Sequence, residues 1–376
     1  MIRLSKSCID EAEKEAVLNV LDREFLGMGD VVKNFEDDLS TFFGRRAVCV
    51  VNGTAALQLA LEACDIGVGS EVLVPSITYV ASFQAISATG AKAIACDVDP
   101  KTGFIDLDDA KIKVNDNTRA IMPVHFNGGV GEIGELYKFS KENELRVIED
   151  AAHAFGTVYE SKKIGSIGDI VCFSFDGIKN ITSGEGGCVV SADEKVLERI
   201  RDSRLLGVEK DTDKRFSGQR SWQFDVKRQG WRYHMSNIMA AIGIEQLKKA
   251  RYFFSKRQDL AKLYDHLLKD EPRINILKRD YDNVVPHIYV IMIKNLKNRD
   301  VLMQKLLDFG IQTGIHYPPN HLLSFYKDES SSKIQSAEVM YDSMLTLPLH
   351  PDLTNEDVKL VSKTLIKLIN DSSNEY

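Results

Sequence analysis

The stretch VVNGTAALQLAL (50–61) joins an apolar strand to an apolar helix through only three residues, Asn-Gly-Thr. Thr54 is a residue type that commonly caps helices, so we expect the helix to begin there. The N–H groups of Thr54, Ala55 and Ala56 would then face outward with the positive end of the helix dipole. Such a helix end suits a phosphate, although an ordinary capped helix would have the same sequence. The pattern G-x-x-x-x-G-K-[ST] of nucleotide-binding P-loops is absent.

Short β-branched runs alternate with helical patterns on both sides of this stretch. The seven strand candidates are 46–51, 71–77, 91–98, 119–126, 146–150, 169–175 and 187–192. Helical patterns lie between several of them, at 55–63, 134–144 and 195–206. Apolar strands that alternate with helices indicate a mostly parallel sheet covered on both faces. We therefore predict an α/β fold whose large domain spans residues 1–250, including an amphipathic helix at the start of the chain.

The sequence changes character after a helical pattern at 235–250. Two further strand candidates, 284–293 and 311–317, lie among helices and predict a smaller C-terminal α+β domain over residues 251–376. Thr354 and Asp357 have the spacing of a capping box, so we expect the last helix to begin there.

The bulk composition excludes several classes of protein. The 376 residues carry 48 basic and 55 acidic side chains, a net charge of −7, whereas a nucleic-acid-binding protein would normally show a basic patch. The six cysteines form no CxxC pair and no zinc spacing, so we expect reduced thiols and no metal site. The start of the sequence has no apolar core typical of a signal peptide, so we expect no secretory signal, and no apolar run approaches the ~20 residues that span a bilayer. We expect a soluble, cytoplasmic protein that binds neither nucleic acid nor membranes.

Polar side chains follow three other predicted strands, at the sheet edge where open α/β sheets collect ligands. Asp150 ends one strand, and His153 follows it by three residues. The Asp150 carboxylate suits two roles: it can cap a helix, or it can hold a proton on a ring nitrogen of an electron-accepting ligand. Tyr79 follows another strand, where its ring can pack inside the protein or serve as a flat platform for an aromatic ligand.

The third strand leads into FSFDGIKNITSGEGGCVV (173–190), where Ser174 and Lys179 precede a cluster of glycines. A lone lysine there would usually be a surface residue. Opposite an anion-binding helix its ammonium can instead be desolvated, which lowers its pKa and makes the amine nucleophilic. Pyridoxal 5′-phosphate would use all four features. They are a phosphate site, a platform for its ring, a carboxylate for its ring nitrogen and an amine that forms an imine with its aldehyde.

Seven motifs occur in a defined order along the chain: VNGTAALQLAL, VPSITYVAS, VIEDAAHAFG, FSFDGIKNITSGEGG, GWRYHMSNIMAAIGIEQL, IHYPP and LPLHPDLT. Together they resemble the DegT/DnrJ/EryC1/StrS family of sugar aminotransferases, which have the aspartate-aminotransferase fold (fold type I). The resemblance extends from about residue 2 to about residue 370. Seven matches in order are far more specific than any one of them.

This resemblance implies a homodimeric enzyme with shared active sites that moves an amino group, usually from L-glutamate, to a keto group of a nucleotide-linked sugar. Lys179 would form an imine with pyridoxal phosphate and then carry a proton between the cofactor and the sugar. Asp150 would pair with the pyridine nitrogen, Tyr79 would stack on the ring, and His153 would lie near the ring hydroxyl. The cofactor phosphate would be held by Gly53, Thr54, Ala55 and Ser174.

One motif departs from the family pattern. Where many members have G-x-N-Y-R-M, this chain has GWRYHM, so Arg232 replaces asparagine and His234 replaces arginine. The asparagine commonly reaches the cofactor phosphate of the partner subunit, and Arg232 could do so with more charge. Dehydratase-like members carry histidine in place of the lysine, so Lys179 favours transamination over dehydration.

The resemblance also bears on the substrate. GEGG (184–187) is common in members that act at C4 of the sugar, whereas enzymes acting at C3 more often have GDGG-like or GDAG-like versions. We therefore expect conversion of dTDP-4-keto-6-deoxyglucose to dTDP-4-amino-4,6-dideoxyglucose for O-antigen, the lipopolysaccharide side chain, or another surface polysaccharide. Amination at C3, a GDP- or UDP-linked sugar, and a non-catalytic regulator that binds pyridoxal phosphate stay open as alternatives. The chain shows no helix-turn-helix appendage and no basic patch, which disfavours the regulator.

Candidate substrate contacts are the charged, irregular loop 208–230 and a cluster in the second domain. The cluster consists of His316, Tyr317 and His321. Packing within the second domain would account for the same three residues.

Overall fold

The structure is a computed structural model that describes residues 1–327 and 334–371. Its helices are α1 (Glu11–Asp22), α2 (Asp30–Phe43), α3 (Gly53–Ala63), α4 (Val80–Ala88), α5 (Leu107–Lys113), α6 (Ile133–Glu142), α7 (Glu194–Ser203), α8 (Asp211–Phe216), α9 (Asn237–Leu268), α10 (Arg299–Asp308), α11 (Gln335–Ser343) and α12 (Asn355–Asp371), with 3₁₀ turns at Phe126–Gly128 and Asn320–Leu322. Its strands are β1 (Ala47–Val50), β2 (Glu71–Pro75), β3 (Lys92–Cys96), β4 (Thr118–Ile121), β5 (Arg146–Asp150), β6 (Val158–Tyr159), β7 (Lys162–Lys163), β8 (Ile170–Ser174), β9 (Gly187–Ser191), β10 (Ile274–Ile276), β11 (Tyr289–Ile293) and β12 (Met344–Leu347).

Seven strands form one sheet in the order β1-β9-β8-β5-β4-β2-β3. The neighbours from β3 through β8 pair in parallel, and β9 lies antiparallel to both β8 and β1. Every residue of β1 and of β9 is buried, which explains their continuous apolar sequence, since helices cover both faces of such a sheet. The predicted α/β class is confirmed, and each of the seven predicted strands is present.

Helix α9 begins where the sequence predicts a helix but extends to Leu268, well beyond residue 250. The Ser236 side chain caps it by accepting a hydrogen bond from the N–H of Met239 at 3.3 Å. The helix packs against α1 and α2 and also against α12, so it passes through the predicted domain boundary. The limits 1–250 and 251–376 stay a prediction.

The C-terminal region contains a three-stranded antiparallel sheet in the order β10-β11-β12. Its apolar side chains form a core with the second half of α9 and with α10 and α12. The predicted capping box of the last helix is confirmed, because the N–H of Thr354 donates to Asp357 Oδ2 at 2.9 Å and the N–H of Asp357 donates to Thr354 Oγ1 at 3.1 Å.

The two strands predicted in this region are only partly correct. The strand predicted at 284–293 begins at Tyr289, since the N–H of Val285 donates to the Thr157 side chain instead of a neighbouring strand. The strand predicted at 311–317 is wrong. Only isolated bridges form there, at Ile311 and Gly314, and the chain then bends towards the carboxyl edge of the large sheet.

In residues 1–327 and 334–371 no helix combines the length and apolarity needed to cross a bilayer. Nor does that part of the chain place three or more His, Cys, Asp or Glu side chains where they could hold a metal ion. All six cysteines are free thiols.

A buried ion pair joins three elements near the first strand. Arg204, the C-cap of α7, is fully buried, and its Nη1 donates to Glu36 of α2 and to the carbonyl oxygen of Cys49 in β1. The N–H of Cys49 in turn donates to Glu36 Oε1 at 2.8 Å. Removing one member of such a pair leaves an uncompensated buried charge, which is far more costly than removing an exposed charge.

We expect Arg204→Met to lower the free energy of unfolding by about 3–5 kcal/mol, because the Glu36 carboxylate would lose its cation. The matched control is Arg46→Met, which breaks the exposed pair with Glu194 and should cost at most about 1 kcal/mol. Urea unfolding followed by circular dichroism measures both variants. Equal losses would contradict the distinction between the two pairs.

Candidate active site

A cavity of about 400 Å³ lies at the carboxyl ends of β5 and β8, beside the N-termini of α3 and α4. The structure brings nine of the twelve residues predicted from the sequence to its wall: Gly53, Thr54, Tyr79, Asp150, His153, Ser174, Lys179, His316 and Tyr317. Ala55, Arg232 and His321 do not line it. These side chains come from segments far apart in sequence, and the parallel sheet places their strand ends at one edge.

The N-terminus of α3 is arranged differently from the prediction that Thr54 caps it. Asn52 is the N-cap, in an extended conformation, and its Oδ1 accepts a hydrogen bond from the N–H of Ala55 at 2.8 Å. The N–H of Ala56 donates to the carbonyl oxygen of Asn52. The N–H groups of Gly53 and Thr54 have no acceptor among the described residues. The anion site therefore lies at Gly53 and Thr54, and Ala55 contributes to it only by its place in the first turn.

Ser174 lies against this helix end because residue 53 has no side chain. A Cβ atom on Gly53 would lie 2.8 Å from the Cβ of Ser174, closer than such carbons approach. The Ser174 Oγ accepts a long hydrogen bond, 3.4 Å, from the N–H of Asp176, and its own proton is free to donate. The two free N–H groups and this hydroxyl form a cradle for an anion.

The Asp150 carboxylate is buried and held by two donors. Ser82 Oγ donates to its Oδ2 at 2.7 Å, and the N–H of Ala152 donates to its Oδ1 at 3.2 Å. Ser82 is itself hydrogen-bonded to Thr78 at 2.8 Å. Sequence reasoning did not identify Ser82, although it stands in the quoted motif VPSITYVAS, because nothing in the motif shows that α4 turns this hydroxyl towards β5.

The amine of Lys179 has no hydrogen-bond or ion-pair partner in the described part of the chain. Burial lowers the pKa of this amine to about 8, while the nearby Asp150 and Asp176 carboxylates oppose the decrease. The backbone is fixed on both sides, because the N–H of Lys179 donates to Asp176 O and Asn180 Nδ2 donates to the carbonyl oxygens of Phe155 and Val285. The site thus contains an amine with a substantial neutral fraction near neutral pH.

The glycines after Lys179 have backbone roles. Gly184 has φ +81°, a left-handed conformation that favours glycine. A Cβ atom on Gly187 would lie 2.7 Å from the backbone of Asn52, so β9 can lie this close to the start of α3 only with glycine there. The side chain of Glu185, between them, lines the cavity.

Three rings lie on the side of the cavity facing the C-terminal region. Tyr317 is hydrogen-bonded through its hydroxyl to His153 Nε2 at 3.1 Å, and its ring centroid lies 5.5 Å from that of Tyr79. Tyr79 is 58% exposed, so one face of its ring is available to a ligand. The Nδ1 atom of His153 is buried and has no partner in the residues described.

His287 also lines the cavity, with its ring centroid 4.5 Å from that of His153. Sequence reasoning missed it, because it lies inside the apolar run VVPHIYVIMI, which predicts a strand. Its pKa is lowered by burial first and by the charge of Lys179 second, and the pKa of His153 is lowered for the same reasons. Both rings are therefore neutral at neutral pH.

The other predicted contacts divide into two groups. His316 lines the cavity and is hydrogen-bonded through Nδ1 to Thr346 Oγ1 at 2.9 Å. His321 is buried elsewhere, between Ser76 at 2.6 Å and Glu338 at 3.2 Å, so it packs in the fold and does not contact the cavity. Arg232 is exposed on the surface.

The sequence model of the DegT/DnrJ/EryC1/StrS aminotransferase family matches residues 7–366. The chain belongs to this family. The family resemblance inferred from the seven motifs is thereby confirmed.

Individual relatives are similar to this chain along nearly their whole length. The chain is 32% identical over 375 residues to dTDP-4-dehydro-2,3,6-trideoxy-D-glucose 4-aminotransferase of Saccharopolyspora spinosa, covering 98% of this chain and 97% of the relative. It is 33% identical over 378 residues to UDP-4-amino-4,6-dideoxy-N-acetyl-beta-L-altrosamine transaminase of Campylobacter jejuni, covering 98% of each. Among solved structures, the PMP form of Spr1654 from Streptococcus pneumoniae superposes with a TM-score of 0.91 at 29% identity, covering 99% of this chain and 100% of that one.

Members of the DegT/DnrJ/EryC1/StrS family are aminotransferases that depend on pyridoxal phosphate, and the predicted fold type I is confirmed. The cavity fits this cofactor. It offers an anion cradle for the phosphate, Asp150 for a ring nitrogen, and the amine of Lys179 for the aldehyde. The buried Nδ1 of His153, which lacks a partner in the described chain, could be satisfied by a ring hydroxyl.

We expect Gly53→Ala to weaken binding of pyridoxal phosphate about tenfold or more, because the added methyl would push the start of α3 away from Ser174. The dissociation constant is measured by titrating cofactor-free protein and following absorbance. Gly27→Ala is the matched control, since nothing lies within 4 Å of the position of its added Cβ. Unchanged affinity in Gly53→Ala would show that the cradle is not the phosphate site.

Proposed function

We propose that the chain transfers the amino group of L-glutamate to C4 of a nucleotide-linked 4-keto-6-deoxy sugar, with dTDP as the preferred nucleotide. The observation that carries the proposal is the unpaired Lys179 amine, with pKa about 8, in one cavity with the anion cradle and Asp150. The two relatives named above are called a 4-aminotransferase and a transaminase of a 4-amino-4,6-dideoxy sugar, which supports this substrate class. The name of one relative contains a dTDP-linked sugar and that of the other a UDP-linked sugar. The choice of dTDP as the preferred nucleotide therefore rests on the family resemblance.

Bound pyridoxal phosphate supplies an electron-accepting ring that makes carbon–nitrogen bonds exchangeable. In our proposal Lys179 would hold the cofactor through its aldehyde, and its amine would give and take the proton that exchange of the amino group requires. An amine with a pKa of about 8 both gives and takes a proton near neutral pH, which suits this exchange.

The remaining residues bind and orient. The Asp150 carboxylate, fixed by Ser82, holds the proton on the ring nitrogen. Tyr79 would stack on the ring, and His153 Nδ1 would bind the ring hydroxyl, while Tyr317 is hydrogen-bonded to His153 Nε2. Gly53, Thr54, Ala55 and Ser174 form the phosphate-binding end of the site.

The charges in the cavity support a homodimer with shared active sites. Three carboxylates, Asp150, Asp176 and Glu185, line it together with one amine, and no arginine of the described residues does so. The cofactor phosphate, glutamate and a nucleotide-linked sugar are all anionic, so further cations are needed. In our proposal a second copy supplies them, with the exposed Arg232 reaching the cofactor phosphate of its partner.

His316 and Tyr317 are the proposed sugar contacts, because both line the cavity that contains Lys179. The loop 208–230 is a further candidate, since Trp222 is 87% exposed and Phe224 is 61% exposed. We also propose that the reaction takes place in the cytoplasm and that the product enters O-antigen or another surface polysaccharide. Both points rest on the family resemblance.

Borohydride reduction of the loaded protein should bleach its yellow colour and fix the cofactor mass on the peptide that contains Lys179. Lys179→Ala should carry no fixed label and lose turnover with an unchanged circular dichroism spectrum, because no other free amine lines the cavity in the described chain. Lys162→Ala, at an exposed lysine, is the control and should behave as wild type. Label on another residue, or turnover without Lys179, would move the chemistry elsewhere.

The substrate assignment is tested with a panel of dTDP-, GDP- and UDP-linked 4-keto-6-deoxy sugars and L-glutamate. We expect a product that carries an amino group at C4 in place of the keto oxygen, identified by mass spectrometry and NMR. The dTDP sugar should react fastest. Amination at C3 would overturn the proposed position, and faster reaction of a GDP or UDP sugar would overturn the proposed nucleotide. Cofactor binding without turnover of any sugar would favour the regulator.

A further inference from the structure

Arg257 is a charged residue in the buried stripe of α9. Phe253, Leu260 and Ala261 surround its position on the helix, and Arg257 itself is only 2% exposed. A charge at such a position is costly unless polar groups of the protein form hydrogen bonds with it.

The guanidinium joins three segments of chain at one point. Its Nη1 donates to the carbonyl oxygen of His287 at 2.9 Å and to that of Leu349 at 3.2 Å. Its Nη2 donates to the carbonyl oxygen of Ile178 at 3.3 Å. Ile178 immediately precedes Lys179, and the His287 ring lines the cavity, so Arg257 ties the turn bearing the amine to the C-terminal region.

No carboxylate pairs with Arg257 among residues 1–327 and 334–371. The acidic group that acts on it is the thiol of Cys8, whose pKa is itself raised to about 11, chiefly by burial. Burial lowers the pKa of Arg257 to about 10, which still leaves the guanidinium charged at neutral pH. Carbonyl dipoles therefore solvate this charge without neutralising it.

The charge acts on the Lys179 amine. After burial itself, Arg257 is the group that lowers the pKa of Lys179, whereas Asp150 and Asp176 raise it. The other titratable rings facing the amine have pKa values lowered by burial and are neutral at neutral pH: His153, His287 and His316. His350 lies near Arg257 and has a pKa lowered by burial first. Among the described residues, Arg257 is thus the permanent positive charge that lowers the pKa of Lys179, while burial and the two carboxylates act on that pKa more strongly.

We propose that Arg257 is a positioning residue for Lys179: it fixes the turn through the carbonyl oxygen of Ile178 and places a permanent positive charge beside that turn. The inference rests on the proposed function, since it assigns Arg257 to the reaction of that amine. It concerns the protein without cofactor as well, so it can be tested independently of turnover.

The first test measures the protonation of Lys179 in cofactor-free protein. Competitive acetylation with acetic anhydride over neutral to alkaline pH, quantified by mass spectrometry of the Lys179 peptide, gives its midpoint. We expect a midpoint near pH 8 in wild type and a rise of about 0.5 unit or more in Arg257→Gln, because removing a positive charge favours the ammonium form. Arg251→Gln, an exposed arginine on the same helix, is the matched control and should leave the midpoint unchanged.

The second test uses Arg257→Lys, which keeps the charge but has a single nitrogen and so cannot occupy the Nη1 and Nη2 positions at once. The midpoint of Lys179 should stay near that of wild type, while amide hydrogen exchange over residues 176–183 should become about tenfold faster. An unchanged midpoint in folded Arg257→Gln overturns the proposal. If that variant does not fold, unchanged exchange in Arg257→Lys overturns it. Wild-type protein that takes up no pyridoxal phosphate would instead refute the proposed function and leave both readouts intact.

Discussion

The amine of Lys179 is held out of water with no hydrogen-bond partner in the described chain, and the rest of the site is arranged around that condition. A pKa near 8 in place of 10.5 corresponds to roughly 3 kcal/mol of preference for the neutral amine relative to an exposed lysine. Nearby carboxylates would ordinarily cancel this preference. Asp150 is engaged by Ser82 and by a backbone N–H, so its charge is partly satisfied before it acts on Lys179.

Two close backbone approaches bring the anion cradle and the amine into the same cavity. Gly53 allows the start of α3 to lie against Ser174, and Gly187 allows β9 to lie against the backbone of Asn52. A side chain at either position would separate the start of α3 from β8 and β9, the two strands that flank Lys179. The glycine at 187, near the lysine, therefore allows close packing at the edge of the sheet. The phosphate site that we propose lies at Gly53 instead.

The fold was predictable because strands covered on both faces give continuous apolar runs, which are visible locally in the sequence. Contacts between segments that are distant in sequence could not be predicted in this way. Asn52 and Thr54 are both good capping residues, and only the backbone conformation identifies Asn52 as the cap. His287 was hidden in an apolar run. His321 lies close to His316 in sequence, but the chain between them turns it towards Ser76, away from the cavity.

The solvation of Arg257 by carbonyl oxygens explains how a buried cation can influence a neighbouring amine. A carboxylate partner would lower the desolvation cost, but the pair would be neutral and would exert little field on Lys179. Carbonyl dipoles stabilise the guanidinium without cancelling its net charge, so the positive potential extends to the amine in a poorly screened interior. The same hydrogen bonds hold the Ile178 carbonyl in place. One side chain can thus hold the turn that bears the lysine and add a positive charge beside it.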